Sequence, residues 1–231
     1  MGKKNLCLLG AILLVVAAFS SCSSQPDKAV IERYFHAIQL NDLTTMSTIA
    51  VAPTDIDFKS FEITNLGEAK VQPAGLPDMA KKEVDLKKKL EDHVGPTLDA
   101  KDILDAAKEE LDNARTKAAK NAAQKKVDDF QAKYDQEYEI HKQLQKDYND
   151  AKAAAAREEE TAIFSLGVKD IPNVRDLTGE VQSKQAEVKV VTKAGAEKAY
   201  IFQLRLFNLR DEILNLNRRG RWVITDIKVT S

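Results

Sequence analysis

The sequence has few residues that cross-link a chain or interrupt its helices. It contains two cysteines in 231 residues, and aromatic residues make up 6% of it. Cys7 lies in an apolar stretch near the start, so Cys22 is the only cysteine in the rest of the chain, and no disulfide can form within that part. The 33 basic and 36 acidic side chains that follow Lys4 are nearly balanced, which argues against a nucleic-acid partner.

The first 21 residues are predicted to be an export signal. Lys3 and Lys4 form a short positive segment, and residues 6–19 are a run of 14 without charge. At 1.5 Å per residue this run is too short to cross a hydrocarbon core of about 30 Å. Small residues precede Cys22, as a cleavage site requires. We therefore expect a mature chain of 210 residues that begins at Cys22.

The tetrad Phe19-Ser20-Ser21-Cys22 resembles the lipobox of bacterial lipoproteins. In that family the cysteine receives a diacylglyceryl thioether, with acyl chains such as palmitate, and becomes the first mature residue. The resemblance implies a membrane anchor at Cys22 in the bacterial cell envelope, because several acyl chains give stable anchoring. Ser23 stands where a retention signal for the inner membrane would have Asp, which favours the outer membrane facing the periplasm. The alternative is an ordinary secretory signal that leaves Cys22 as a free thiol.

Helix breakers are absent from residues 97–166, which contain neither glycine nor proline. Mostly apolar residues recur there at alternating steps of three and four in two series, the spacing of a coiled-coil seam. The series are Ala100, Leu104, Ala107, Leu111, Ala114 and Ala118, then Val127, Phe130, Tyr134, Glu137, His141 and Leu144. Because the two series are out of phase, we predict a turn at residues 119–126 and an antiparallel hairpin in which Leu104 faces His141. The alternative is a single helix whose partner lies in another chain.

The flanking segments are predicted to form one α+β domain. Residues 26–40 have the spacing of an amphipathic helix, and a second short helix follows at 43–50. Alternation at period two predicts strands at 58–71, 179–193, 198–209 and 221–230. Turns at residues 193–196 and 218–220 would join the last three strands into an antiparallel meander.

The helix VIERYFHAIQLNDLTTM and the closing strand RRGRWVITDIKV are similar to motifs of the small NTF2-like lipoproteins of bacterial envelopes. The resemblance implies a cystatin-like cone, in which N-terminal helices pack on a curved antiparallel sheet. The helical hairpin would then be an insertion in the cone. The implied organisation is a signal peptide at 1–21, an NTF2-like domain formed by 22–76 and 167–231, and a coiled-coil hairpin at 77–166.

The sequence predicts no catalytic residue, cofactor or metal site. It contains no hydrolase or nucleotide-binding motif, and His36, His93 and His141 share no ligand spacing. A pocket of the implied cone would be lined by Tyr34, Ile38, Asp57, Tyr200, Trp222 and Asp226. Arg218, Arg219 and Arg221 are predicted to form a basic tip that contacts an acidic partner or keeps a sheet edge soluble.

These features favour a non-enzymatic binding or scaffolding module that is anchored to the membrane. Its hairpin would project as an arm towards an envelope protein or a second copy of the chain. One alternative is a small-ligand-binding or enzymatic pocket, which needs a convergent polar cluster that the sequence does not assemble. The other is an efflux-type periplasmic adaptor, but the lipoyl half-motifs that flank the hairpin of such adaptors are not found around Asp78 and Leu166.

Overall fold

A computed structural model describes residues 25–168 and 170–230, and Cys22 and the predicted export signal lie outside this part. It has a mixed α+β fold with helices and a curled antiparallel sheet, so the predicted fold class is confirmed at this level. The helices are α1 (Pro26–Gln39), α2 (Leu43–Ile49), α3 (Leu76–Asp92), α4 (Val94–Asn113) and α5 (Lys117–Leu166), with a 3₁₀ helix at Val174–Asp176. The strands are β1 (Ser60–Leu66), β2 (Lys70–Pro73), β3 (Thr178–Val191), β4 (Glu197–Asp211), β5 (Leu216–Arg219) and β6 (Val223–Val229).

The chain forms two compact units. The first, called the sheet unit, contains the described residues up to Val71, together with Gln182–Leu206 and those from Arg221 onward. The second, called the helical unit, contains Gln72–Val181 and Phe207–Gly220. Besides the predicted helical segment 77–166, the helical unit therefore includes β5, the start of β3 and the end of β4.

Helix α1 buries one face in the core of the sheet unit. Ile31, Tyr34 and Phe35 are fully buried, as the amphipathic spacing predicts. The ring of Phe35 stacks on the ring of Phe61 from β1, with 4.1 Å between the ring centres. Burial of these large apolar side chains is the main force that holds the helix on the sheet.

The strands of the sheet unit are antiparallel. β1 pairs with β3 so that Phe61 lies opposite Val190, and β4 pairs with β6 so that Tyr200 lies opposite Val229. Each pairing contains a register shift, between Ile63 and Asn65 of β1 and between Ile224 and Asp226 of β6, and such bulges bend a strand. The buried residues of the two central strands alternate with more exposed ones, as predicted, and they are Ala186, Val188, Val190, Tyr200, Phe202, Leu204 and Leu206.

The turn between β4 and β5 lies at residues 212–215, and the predicted turn at 218–220 is wrong. The carboxylate of Asp211 accepts hydrogen bonds from the backbone N–H groups of Ile213 and Leu214, at 3.1 and 2.9 Å. Asn215 has a φ of 51°, a conformation that asparagine adopts more readily than most residues. This local capping defines the turn, whereas the Arg-Arg-Gly segment lies where β5 ends.

In the helical unit, α4 and α5 run antiparallel and are joined by residues 114–116. The predicted turn at 119–126 is wrong, because those residues belong to α5. Thr116 caps α5, since its hydroxyl accepts a hydrogen bond from the N–H of Ala119 at 3.1 Å. The pairing of the two helices differs accordingly: His141 lies beside His93, with 6.1 Å between the ring centres, and not opposite Leu104.

A second hydrophobic core lies within the helical unit, at the C-terminal end of α5. Ala162 of α5 is buried there with Leu76 of α3 and with Phe207 and Leu209 of β4. The N–H of Phe207 also donates a hydrogen bond to the hydroxyl of Ser165, at 3.1 Å. The end of β4 therefore belongs to the same packed body as the helices.

Candidate functional site

Four of the six residues predicted to line a pocket lie in the core of the sheet unit. Tyr34, Ile38, Tyr200 and Trp222 are each at most 8% exposed. The ring of Tyr34 packs edge-on against Phe202, with 6.0 Å between the ring centres. Packed side chains therefore occupy the space between α1 and the sheet, where the sequence predicted a pocket.

The hydroxyl of Tyr34 has a structural partner. It donates a hydrogen bond to the carbonyl oxygen of Thr54 at 2.6 Å and accepts one from the N–H of the same residue at 2.7 Å. Burial raises the pKa of Tyr34, hydrogen bonding with Thr54 opposes that rise, and the charge of Asp55 adds to it. These hydrogen bonds hold the segment around Thr54 against α1. A phenol that keeps its proton and has both partners is poorly suited to proton transfer.

The two predicted carboxylates lie elsewhere in the sheet unit. Asp57 is 3.8 Å from the ammonium of Lys193, and Asp226 is 3.2 Å from that of Lys228. Both carboxylates are about half exposed, and neither forms a hydrogen bond with Tyr34 among the described residues. The structure thus does not assemble the buried acid–tyrosine cluster that an enzymatic pocket would need.

One cleft of the sheet unit does bring two predicted residues together. It has a volume of about 400 Å³ and lies at the end of α1, where Ile38 and Asp57 form part of its wall. Asp55, Lys59 and Lys193 also line it, so the cleft carries both signs of charge. Its size and lining are compatible with a small zwitterionic molecule.

The helical unit contains a long regular seam. On α3 and α4 the buried and half-buried positions recur at steps of four and three, and on α5 they do the same. The first row is Met79, Glu83, Leu86, Leu90, His93, Thr97, Ala100, Leu104, Ala107, Leu111 and Ala114. The second row is Ala123, Val127, Phe130, Tyr134, Glu137, His141, Leu144, Tyr148, Ala151, Ala155, Glu158, Ala162 and Ser165. The first row keeps its phase across His93, although the helix is interrupted there.

Two polar contacts mark the register of this seam. The ammonium of Lys126 lies 2.7 Å from the carboxylate of Glu110, near the turn. Further along, Nε2 of His93 lies 3.1 Å from the carboxylate of Glu137. Lys126 of α5 meets Glu110 of α4, and Glu137 of α5 meets His93 between α3 and α4, so the two contacts show how far α5 is displaced along the facing helices.

The His93–Glu137 pair is the centre of a polar layer in an otherwise largely apolar stretch of the seam. The hydroxyl of Thr97 lies 3.2 Å from Nδ1 of His93 and 3.0 Å from its carbonyl oxygen. Nδ1 of His141 is buried and has no hydrogen-bond partner among the described residues. A polar position within such a seam specifies register at a cost in stability. We call His93, Thr97, Glu137 and His141 the polar layer.

Large apolar side chains remain exposed on the outer surface of these helices. Val84 is 65% exposed, Leu98 is 54% exposed and Tyr138 is 49% exposed. The ring of Tyr138 lies 5.9 Å from that of Tyr134, which occupies the seam. Aromatic residues are enriched where proteins bind each other, so the exposed Tyr138 is a candidate contact residue.

Arg175 joins two helices of the helical unit to the 3₁₀ helix. Its guanidinium donates hydrogen bonds to the carboxylates of Glu159 and Glu83, each at 2.7 Å. The hydrogen bond with Glu159 raises the pKa of Arg175, partial burial opposes the rise, and Glu83 adds to it. Sequence reasoning did not identify this cluster, because no local pattern links residues 92 positions apart in the chain.

The three arginines predicted to contact a partner have different surroundings. Arg218 is half-buried, lies 4.0 Å from Asp211, and has a buried Nε without a hydrogen-bond partner in the described structure. Arg219 is exposed. Arg221 belongs to the sheet unit and donates a hydrogen bond to the carbonyl oxygen of Thr48 at 3.0 Å. Of the three, Arg219 is the one that is exposed and forms no hydrogen bond or ion pair among the described residues.

Comparisons with protein-family models, with curated proteins and with solved structures found no match to this chain. Over residues 25–168 and 170–230, no helix combines the length and apolar character needed to cross a membrane. No group of three or more His, Cys, Asp or Glu side chains in the same residues could hold a metal ion. His93, Glu137 and His141 are near each other, and they pack between the helices as part of the polar layer.

Proposed function

We propose that this protein is a non-enzymatic lipoprotein of the bacterial envelope, whose helical unit is a binding or scaffolding module. The observation that carries the proposal is the long two-row seam, which holds α3 and α4 against α5 and leaves Tyr138 and Leu98 exposed. A pair of long helices has much surface and little core, so partner contact accounts better for its length than stability does. The lipobox-like sequence before Cys22 supports the anchor.

The finer fold assignment belongs to the same proposal. We infer an NTF2-like cone made of α1, α2 and the curled sheet, with residues 77–166 as an inserted coiled-coil hairpin. The order of elements supports this, since two helices precede the first strand and the hairpin lies between β2 and β3. The antiparallel pairing of β1 with β3 and of β4 with β6 is also compatible with such a cone.

Lipid attachment is tested by growing cells that express the full chain with an azide-bearing palmitate. We expect the wild-type protein to carry the label and to float with outer-membrane vesicles. The variant Cys22→Ser should lose both properties, whereas the control Ser23→Ala should keep them. Export of an unlabelled wild-type chain would mean that the leader is an ordinary secretory signal.

The contact surface is tested by placing a photo-crosslinking amino acid at Tyr138 in living cells. Asn149 is the matched control, because it is exposed on the same helix and polar. Capture of one envelope protein from position 138 but not from 149 would support a docking module. Capture of the same chain would indicate self-association through the helices, and equal or absent capture at both positions would contradict the proposal.

A small-ligand-binding protein is the second candidate function, and the cleft at the end of α1 is the observation in its favour. The charged groups of both signs around it would suit an amino acid or a peptide terminus. Thermal-shift screening with amino acids would test it. Stabilisation that is lost in Asp57→Asn but not in Asp226→Asn would support this function.

A further inference from the structure

The turn between β4 and β5 carries the most exposed large apolar side chain of the described residues. Ile213 is 82% exposed and the adjacent Leu214 is 57% exposed. Turns of this kind usually contain Gly, Pro, Asn, Asp or Ser, because those residues suit the backbone and the solvent. The two neighbouring aliphatic residues lie outside the buried core of the helical unit and line a cleft of about 290 Å³ beside Leu177, so their exposure needs another explanation.

The conformation of this turn is fixed by its polar neighbours. The carboxylate of Asp211 accepts hydrogen bonds from the N–H groups of both aliphatic residues. The side-chain oxygen of Asn215 accepts a hydrogen bond from the guanidinium of Arg210, at 2.9 Å. The two apolar side chains are therefore presented in a preformed arrangement, and a binding partner would not have to order the turn.

The strands that lead to the turn are basic. Arg210, Arg218 and Arg219 lie on them, Asp211 and Glu212 are the acidic residues of the hairpin, and Asp176 lines the cleft beside the two aliphatic residues. Arg210 lies 3.3 Å from Glu212, and Arg218 lies 4.0 Å from Asp211, so the charge of Arg219 is the one left over in this hairpin. At the surface of an anionic bilayer the acyl chains lie below the phosphates. An aliphatic tip would therefore lie among the acyl chains, while an exposed basic residue further along the strand contacts the phosphates.

The composition of the tip also distinguishes lipid from a protein partner. Residues that contribute most to protein interfaces are Trp, Tyr and Arg seated in pockets, and leucine is under-represented among them. The tip instead offers isoleucine and leucine on a narrow two-stranded hairpin, with Leu216 also 48% exposed beside them. Aliphatic side chains of this kind partition favourably into hydrocarbon.

We propose that this hairpin inserts Ile213 and Leu214 into the surface of a bilayer that contains anionic phospholipids, with Arg219 contacting the phosphates. The inference rests on the proposed function, because the lipid at Cys22 would hold the chain beside a membrane. Anchor and hairpin would then be two separate attachments of one chain, and they can be tested independently.

The test uses the lipidated full chain with an environment-sensitive fluorophore on a cysteine at Ile213, in vesicles of phosphatidylethanolamine and phosphatidylglycerol. Lipidation blocks Cys22, so the introduced thiol is the one that reacts. Gln124→Cys is the matched control, because that side chain is also exposed in the helical unit. We expect a blue-shifted emission and quenching by brominated lipid at position 213 that is several-fold stronger than at position 124. Arg219→Gln should weaken the quenching at position 213 in these vesicles and leave it unchanged in neutral phosphatidylcholine.

Flotation of the same sample reports the anchor separately. A chain that floats while the label at position 213 keeps a water-like emission would overturn the insertion and leave the proposed anchor standing. A chain that does not float would overturn the proposed anchor. Its Cys22 would then also react, so the insertion is read from the variant Cys22→Ser/Ile213→Cys, in which quenching supports the insertion and a water-like emission overturns it. A blue shift that grows with protein concentration in the absence of vesicles would identify a second copy as the occupant and would also overturn the insertion.

Discussion

The ammonium of Lys184 in β3 donates a hydrogen bond to the carboxylate of Asp27 in the first turn of α1. Both side chains are largely buried in the sheet unit, and the ammonium also lies 5.8 Å from the centre of the Trp222 ring. Removal of one partner from such a pair leaves a buried charge without compensation, which is more harmful than removal of both.

Lys184→Met should therefore destabilise the protein strongly. We expect the free energy of unfolding to fall by about 3 kcal/mol, because Asp27 would remain buried and unpaired. Urea unfolding, followed by the fluorescence of Trp222, measures the change. The double variant Asp27→Asn/Lys184→Met is the control and should recover part of the loss, whereas equal losses in the two variants would mean that the pair contributes only through packing.

The same pair predicts an acid response. Burial by itself would raise the pKa of Asp27, but the hydrogen bonds from Lys184 and from the N–H of Lys28 hold the pKa below its usual range. A carboxyl group with a lower pKa in the folded state stabilises the fold above the unfolded pKa, and this contribution is lost as pH falls through the folded pKa. Wild type should thus lose more stability than Asp27→Asn below about pH 4, as urea midpoints across that range would show. An equal dependence of the urea midpoint on pH in the two proteins would contradict this prediction.

His141→Leu should stabilise the helical unit. The leucine removes a buried ring nitrogen that has no hydrogen-bond partner and extends the apolar seam, so we expect a gain of about 1 kcal/mol in the free energy of unfolding. Thermal unfolding followed by circular dichroism at the helix band measures it. His36→Leu is the control, because that histidine is exposed on α1 and should give no gain. A loss of stability in His141→Leu would show that Nδ1 of His141 has a hydrogen-bond partner in solution.

The register of the helix pair can be tested with a short bis-maleimide crosslinker. Cysteines at Glu110 and Lys126 should be joined within one chain, because their side chains meet across the two helices. Cysteines at Glu110 and Asp135 should not be joined, since position 135 lies about 13 Å further along α5. Tryptic peptides identify the linked pair by mass spectrometry. Preferential linkage of 110 to 135 would instead favour the register predicted from the sequence.

Gly220→Ala should destabilise the helical unit. A Cβ atom at this position would lie 2.4 Å from the hydroxyl oxygen of Ser165 and 2.6 Å from the carbonyl oxygen of Phe207, so the packed end of β4 must shift. We expect a loss of about 2 kcal/mol, which is typical of overpacking in a core. Gly95→Ala is the control, because nothing lies within 4 Å of its added atom, and it should be neutral or slightly stabilising. Similar urea midpoints for the two variants would contradict the close packing at Gly220.

The sequence predicted α1 and the long strands of the sheet unit well because their burial is periodic and local, but the single strand predicted at 58–71 is wrong, since the structure divides it into β1 and β2 at residues 67–69. The i, i+3, i+4 spacing around Tyr34 predicted α1 nearly to its ends, and the alternation around Val188 and Phe202 predicted the two central strands. Such patterns survive in the structure because one face of each element is buried in a single core. The α+β class follows from these elements.

Chain reversals were predicted less well. The heptad pattern was visible, but Ala118 fits the first seam as well as it fits an exposed helix surface, so apolar spacing alone did not reveal where α4 ends. The capping hydroxyl of Thr116 was the better signal. In the last hairpin, Asp211 followed by Asn215 defines the turn, although Gly220 is the stronger turn former by residue type. Side-chain hydrogen bonds of this kind depend on geometry that composition does not record.

The candidate sites were the least predictable part. Tyr34 and Tyr200 looked equally suited to a cavity wall and to a core, because both uses require an aromatic residue on the inner face of an element. The cluster of Arg175 with Glu83 and Glu159 depends on contacts between distant segments, and single-sequence patterns contain no information on them. The exposed Ile213 was visible in the sequence only as an aliphatic residue in a polar setting.

The interruption at His93 leaves the three-and-four spacing of the first row unbroken from Met79 to Ala114. The paired helices can therefore be shortened by seven residues at a time without changing which residues face the seam. Deleting seven residues from α4 together with seven from the facing part of α5 would bring the remaining rows back into contact and shorten the pair by about 10 Å. A series of such shortened chains would test the proposal that the helix pair acts as a projecting arm, because activity would then depend on its length.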